Sequence, residues 1–403
     1  MMIKRNRTKL SLVAGVVCAT LLTLSAPAAH AGPAEADHAA TLKALKTFQA
    51  SAGPGAAVHA GGPGGSWTLS AGTGTINTDR PIRSDEHFRI GSQTKTFTAA
   101  VVLQLVDEGR VSLDAPIADF LPGVVSGNGY DGTRITVRHL LQHTGGLAPF
   151  APQVVIDQPP SNPDGTYDLA VLVRKGLSHA PVSAPGAAFA YSNTNYLVLG
   201  MLIEKVTGRP VHENVTRRVI EPLGLGRTVF PAPGDRALPA PAVNGYHGLR
   251  VGGFFLWTPA LSYDPSLFSS AGAMVSTLED LTAFYRALIA GKVVSAAGLA
   301  EMRKLREVGP GVAFGLGIGR KELSCGVMAW GHDGGVPGYM SQTLVTEDGR
   351  HASVVTNALF QVGMPAEQLH ALLDTALCED AARRPTRLGD VPGRHRAAER
   401  GGD

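Results

Sequence analysis

Cysteine is scarce in this sequence: 403 residues hold three, and no C-x-x-C pair occurs. That excludes a disulfide-dense small scaffold and a zinc-finger ligand set. Charge is also sparse, at 17%, and the net value is only +3. Such a balance leaves no electrostatic footprint for nucleic acid. Aromatic residues make up 6%, yet 44% of the chain is hydrophobic, too much for a disordered polymer. The 49 glycines follow no three-residue period, which excludes a collagen-like rod. No internal repeat is present, so a solenoid is excluded. Neither a G-x-S-x-G elbow nor a G-x-x-x-x-G-K-[ST] phosphate loop occurs. The apolar run Leu10–Leu24 falls short of the roughly 20 residues that a membrane span needs.

That run is flanked by Lys4, Arg5, Arg7 and Lys9 before it and by Ala29-His30-Ala31 after it. This is the plan of a secretory signal peptide over residues 1–31, with cleavage expected after Ala31. Val16 and Val17 before Cys18 do not suit a lipid-attachment site, and the leader has no Arg-Arg pair. Removing four cations and no anions turns +3 into −1. The expected location is secreted, in the extracellular or cell-wall space. Two cysteines then remain, Cys325 and Cys378, and an even count in an oxidising compartment favours a bridge over two buried thiols. Closing that loop stabilises by roughly 4 kcal/mol in the chain-entropy picture.

At about 150 residues per domain the length suggests two lobes. Gly55–Ala60 and Ser66–Ala71 read as a hairpin around a glycine-rich turn. Ser92–Glu108 reads as an apolar helix stopped by Gly109. Residues 111–260 read as short helices with long loops. Ser276–Ala290 reads as a helix with Ser276 and Glu279 in a capping box. Strands follow at Met328–Trp330, Met340–Thr346 and His351–Asn357. The last two are joined by an Asp348-Gly349 turn with positive φ expected at both positions. A helix then runs from Pro365 to Cys378. Residues 381–403 hold six arginines and no aromatic residue and read as a disordered tail. These elements predict a discontinuous α/β lobe (32–110 and 261–380) with a helical lobe (111–260) inserted.

Three motifs carry chemistry. Ser92-Gln93-Thr94-Lys95 is the only S-x-x-K in the chain. A spacing of three puts both side chains on one helical face, where a desolvated lysine can activate a serine hydroxyl. Alone, the pair also fits a serine N-cap followed by a surface lysine. Tyr191-Ser192-Asn193 sits in a loop before a helix, and offers a phenol for proton transfer and an amide for a substrate carbonyl. It equally fits a capping sequence. Gly331-His332-Asp333-Gly334-Gly335 follows Met328–Trp330 and is expected at a strand end, where its glycines would admit a substrate backbone. A glycine-rich turn with a solvent-facing histidine fits it too. His139 and His143 have the i, i+4 spacing of zinc ligands. No acidic residue lies between Thr133 and Ile156, so no metal and no cofactor is expected.

In this order the three motifs resemble the serine β-lactamase and penicillin-binding superfamily, in the branch of class C β-lactamases and secreted DD-peptidases. The segments FRIGSQTKTFTAAVVLQLVDEGRVSLD, ITVRHLLQHTGGL, YSNTNYLVLGMLIEKVTG, SSAGAMVSTLEDL, GLGIGRKELSCG and GHDGGVPGY carry the likeness over roughly residues 40–380. It implies an antiparallel sheet flanked by helices, with an inserted, mainly helical lobe. Ser92 would be acylated, with Lys95 and Tyr191 sharing the proton transfers. Asn193 would bind the substrate amide, and His332 would join the hydrogen-bond network. The backbone N–H groups of Ser92 and Gly335 would form the oxyanion hole. The family's disulfide falls on Cys325 and Cys378. Substrates would be small peptides, esters or β-lactams, with cell-wall association and a monomeric state.

The family's DD-carboxypeptidases have threonines where this chain has Asp333 and Gly335, and an arginine where it has Gly319. Two hydroxyls and one cation are thus absent from the carboxylate pocket, and an anion is added. Lys321, on the same strand face as Gly319, can replace the cation, whereas Arg320 points away. On overall resemblance, and despite this altered pocket, D-alanyl-D-alanine carboxypeptidase activity leads, followed by esterase or D-stereospecific peptidase activity and then β-lactamase activity. A non-catalytic penicillin-binding sensor is the alternative of another class.

Overall fold

The computed structural model describes residues 37–150, 158–251, 254–359 and 365–382. The expected leader and nearly all of the expected tail lie outside them. Eight strands form one antiparallel sheet: β1 (Gly55–Gly62), β2 (Gly65–Gly72), β3 (Arg306–Gly309), β4 (Val312–Phe314), β5 (Gly319–Glu322), β6 (Met328–Val336), β7 (Tyr339–Thr346) and β8 (His351–Thr356). Their spatial order is β2-β1-β8-β7-β6-β5-β4-β3, so the first strand, β1, pairs directly with the last of the eight, β8. The longer helices are α1 (Ala39–Ala52), α2 (Thr94–Asp107), α3 (Leu169–Leu177), α4 (Asn193–Thr207), α5 (Leu278–Ile289) and α6 (Ala366–Ala382).

Alternation along the strands explains why helices cover both faces. Ala56, Val58, Ala60, Leu344 and Val354 pack on one side with Leu45 and Phe48 of α1 and Leu369, Leu372 and Leu373 of α6. Ala57, Trp330, Val345 and Val355 belong to the opposite side, with Phe97 of α2 and Phe284 of α5. That second cluster runs on without a break into Leu140, Leu172, Leu197 and Val219 from the segment read as helical. The α2 helix is buried nearly all round, because it lies between this helical segment and the sheet. Cys325 and Cys378 are joined, tying α6 to the turn before β6.

Several elements differ from the sequence expectation. The strand at Met328 continues to Val336, so His332 lies inside a strand rather than at its end. Pairing with β7 through Gly335–Met340 carries the glycine-rich run into the ladder. Thr277, not Ser276, caps α5 by accepting from Asp280 N, and Ser276 lies in a short strand. At the β7–β8 turn only Gly349 has positive φ (+88°), because the loop is four residues long rather than two. The segment 111–260 also contains a hairpin, Tyr246–Val251 with Phe254–Pro259, whose first strand pairs in parallel with Ala358–Leu359.

Candidate active site

The nucleophile candidate sits where the chain turns from a short strand into α2. Phe88–Arg89 pairs with Val275–Ser276, a 3-10 turn spans Gly91–Gln93, and α2 begins at Thr94. This turn seats on β6 because glycines permit it. Gly91 has φ +54°, and a Cβ there would stand 2.9 Å from Gly335 N. A Cβ on Gly334 would stand 1.9 Å from Ile90 O and 3.3 Å from Ser92 N. Gln93 anchors the turn from the other direction, donating to Ser341 Oγ at 2.8 Å. Ser92 itself stays partly exposed.

Lys95 lies one turn on and is fully buried. Its Nζ donates to Ser92 Oγ (3.0 Å), Asn193 Oδ1 (2.8 Å) and Ala271 O (2.7 Å). None of these partners is a carboxylate. Burial pushes its pKa down to about 7, with the more distant Asp333 opposing the shift. At neutral pH a large share of Lys95 is therefore a free amine beside the serine hydroxyl.

Tyr191 and Asn193 come from the loop into α4, where Ser192 caps the helix by accepting from Thr194 N. The Tyr191 ring lies 5.0 Å from Lys95 Nζ. Burial raises the phenol's pKa above the ordinary tyrosine value, Asp333 adds to the rise, and a hydrogen bond with Ser92 opposes it. The phenol thus keeps its proton at neutral pH. Asn193 is fixed at both ends, its Oδ1 on Lys95 and its Nδ2 donating to Phe150 O at 2.8 Å.

His332 projects from β6 toward the same centre, its ring 6.2 Å from that of Tyr191. Its Nδ1 faces Asp333 O at 2.5 Å. A carbonyl accepts only, so Nδ1 carries the proton and Nε2 is left as a buried acceptor without a partner. Burial lowers its pKa and keeps the ring neutral, with Asp333 opposing and Lys95 reinforcing that shift. Alternation sends Asp333 to the other face, where its side chain is 68% exposed. The added anion is therefore not buried and carries no large desolvation cost. Gly319 pairs with Gly331 and Lys321 with Ala329, so Gly319 and Lys321 share that face with Asp333. Gly319, Lys321, Asp333, Gln342 and His370 line a cavity of about 320 Å³. Lys321 is half-buried, and desolvation lowers its pKa.

Two contributors were not evident in the sequence. Ala271 acts through its backbone carbonyl, which no residue identity marks. His143 lies just past the short helix Val137–Leu141 with φ +56°. Its Nδ1 accepts from Ser192 N (3.2 Å) and Asn195 Nδ2 (3.1 Å), and its ring packs against that of Tyr191, 4.3 Å away and tilted by 32°. His139 does not converge with it, since its Nδ1 accepts from Thr136 N in a capping box. A protein acceptor for the aromatic loop, rather than a metal ligand, is what the i, i+4 spacing produced.

Comparison with known proteins gives the family and the fold. The Beta-lactamase family model matches residues 42–376. Penicillin-binding protein 4 of Amycolatopsis lactamdurans is 29% identical over 308 residues, covering 72% of this chain and 76% of that protein. A D-stereospecific amidohydrolase from Streptomyces sp. superposes with a TM-score of 0.75 and 38% identity, covering 85% of this chain and 99% of that one. The D-amino acid amidase of Ochrobactrum anthropi SV3 gives 0.74 and 25%, covering 86% and 99%. The chain therefore belongs to the Beta-lactamase family and is a hydrolase of the serine β-lactamase and penicillin-binding superfamily.

Proposed function

We propose that the chain is an exported acyl-serine hydrolase that cleaves amides and peptides of D-amino acids whose leaving group carries no free carboxylate beside Asp333. The observation that carries this reading is the pair Ser92 and Lys95, 3.0 Å apart with the amine desolvated. The neutral amine of Lys95 takes the proton as Ser92 Oγ attacks the carbonyl carbon. The Ser92 and Gly335 N–H groups hold the oxyanion, an effect worth roughly 3–4 kcal/mol per donor. Tyr191 gives its proton to the departing amine nitrogen and is reprotonated from Lys95. Water then attacks the ester carbonyl, returning the proton to Ser92 and releasing the acid. His332 and Asn193 orient the substrate on either side.

Specificity follows from the far face of β6. The arginine of a carboxypeptidase is replaced by Gly319 and its threonines by Asp333 and Gly335; of the two cations in the cavity lining, Arg320 is paired with Glu307 and Lys321 has no carboxylate partner among the described residues. An exposed anion at the leaving-group end disfavours a terminal carboxylate. The solved relatives named for D-stereospecific amide hydrolysis support the same choice over D-alanyl-D-alanine carboxypeptidase activity. Export rests on the leader pattern, together with a disulfide suited to an oxidising space.

The test has two stages. A fluorophosphonate or fluorescent penicillin should label the wild type and not Ser92→Ala, and equal labelling would refute the nucleophile. Turnover of a D-amino-acid amide, its L-enantiomer, acyl-D-Ala-D-Ala, an aryl ester and nitrocefin should then be ranked. The D-amide should exceed both its enantiomer and the free-carboxylate peptide. Preference for the latter would return the enzyme to carboxypeptidase activity.

A further inference from the structure

Beyond the C-terminal end of β6 lies a second cavity, of about 560 Å³. Two of its lining residues are arginines, Arg89 and Arg236, and none is acidic. Arg236 is engaged, its Nε 3.1 Å from a carboxylate oxygen of Asp264. Arg89 is not. It is 5% exposed, and its one hydrogen bond goes from Nη2 to Arg236 O at 2.7 Å. Its Nη1 is buried with no partner, and no carboxylate of a described residue pairs with it. The guanidinium lies 4.5 Å from the Tyr263 ring centroid, and the buried Tyr263 hydroxyl also has no partner. Buried guanidinium groups are ordinarily paired, because an unmatched one carries the full cost of desolvation. An orphaned N–H of that group and an orphaned hydroxyl beside one acid-free cavity are what a carboxylate completes, by charge-assisted hydrogen bonds.

The position says which part of a substrate brings it. Arg89 precedes Ser92 by three residues, so their Cα atoms are at most about 11 Å apart by chain reach. Pro337 and Tyr339, also in the lining, follow directly on the stretch of β6 against which the serine turn packs. Asp333 lies on the other side of Gly335 along the same strand. A substrate running along β6 thus meets the anionic pocket with its leaving group and the Arg89 cavity with its acyl part.

We propose that Arg89, with the Tyr263 hydroxyl, forms a subsite for a carboxylate on the acyl portion of the substrate. This rests on the acyl-serine reading above and adds a charge requirement to it. The acyl donor is expected to be acidic at a distance from the scissile carbonyl, and the leaving group neutral.

The experiment uses two D-alanine anilides that differ only in the N-acyl group, glutaryl or its neutral methyl ester. Wild type should have a KM about tenfold lower for the glutaryl substrate, the scale of one charge-assisted contact. In Arg89→Gln this KM ratio should fall toward one. Tyr263→Phe should remove part of it, and Arg89→Lys should retain part. No preference in wild type, or a ratio unchanged in Arg89→Gln, would overturn the proposal. Free glutarate should also raise the Tm of wild type but not of Arg89→Gln. Protection by glutarate without any preference for the tethered carboxylate would assign the site to a free ligand and overturn the substrate subsite. If neither anilide is cleaved while Ser92 still takes a fluorophosphonate, the D-amide reading fails by itself. The glutarate shift then decides the anion site alone: its loss in Arg89→Gln supports that site, and its absence in wild type overturns it.

Discussion

Lys95 Nζ lies 3.0 Å from Ser92 Oγ, and its other two partners are the amide oxygen of Asn193 and the carbonyl of Ala271. All three are uncharged, so no anion in contact offsets the cost of burying the ammonium form. The amine that results is the base of the proposed mechanism. kcat/KM should therefore rise with pH through an ionisation near 7, the value to which burial pushes Lys95. A pH–rate profile flat from 6 to 9 would contradict this.

The same shift has a signature in stability. Lys95 is near 7 when folded and near its ordinary value of 10.5 when unfolded. Between these values the unfolded chain binds more protons, so stability rises with pH there. The slope attributable to this group reaches about 1.4 kcal/mol per pH unit. Below about pH 7 both states are protonated and the contribution is flat at its minimum. Urea unfolding of Lys95→Met between pH 7 and 10 should lack this component of the slope.

Tyr191 separates proton relay from base. Its phenol is held protonated by burial, so it should not substitute for Lys95 as the resting base. Tyr191→Phe should lower kcat by about 10²- to 10⁴-fold, the range of a lost acid–base group. The acid limb near pH 7 should persist, because Lys95 still sets it. Slow covalent labelling of Ser92 should survive in Tyr191→Phe and vanish in Lys95→Met.

Legibility in the sequence tracked the kind of signal. Ser92, Lys95, Tyr191 and Asn193 lie in local motifs whose spacing survives folding, and the structure brings them together. The strands were visible where apolar and polar residues alternate, as in β7 and β8. Alternation fails in Gly331–Gly335, so the continuation of β6 was hidden, and with it the outward aim of Asp333. The carbonyl of Ala271 has no side-chain mark, and the hairpin at 246–259 lies in a stretch of mixed polarity. Arg89 sat in plain view within FRIGS, but an arginine's missing partner is a property of three dimensions.

Gly334 tests the contact between nucleophile turn and strand. A Cβ there would meet Ile90 O at 1.9 Å, whereas one on Gly64 meets nothing within 4 Å. Gly334→Ala should displace Ser92 from the oxyanion donors. Loss of about 10²-fold in kcat/KM is expected, on the scale of one misplaced catalytic contact. Gly64→Ala, a change in the distant β1–β2 turn, serves as the reference. Equal activity of the two variants would show that the turn does not depend on this approach.

The cavity proposed for the leaving group is lined by Asp333, Lys321 and Arg320, and paired substitutions of the first two separate their effects. Asp333 is 68% exposed, and in the proposed reading it repels a terminal carboxylate through partly solvated space. Asp333→Asn should raise the rate ratio of acyl-D-Ala-D-Ala to its amide roughly five- to tenfold, as removal of about 1 kcal/mol of repulsion requires. Lys321 is half-buried on the same face and forms no ion pair with a described residue, so it is free to meet that carboxylate. Lys321→Ala should lower the rate for the free-carboxylate peptide more than for an aryl ester. The double variant should then be nearly indifferent to the leaving group's charge. If Lys321→Ala slows ester and peptide alike, the lysine supports the strand rather than the substrate. If Asp333→Asn leaves the ratio unchanged, the choice of neutral leaving groups must originate elsewhere than in this pocket.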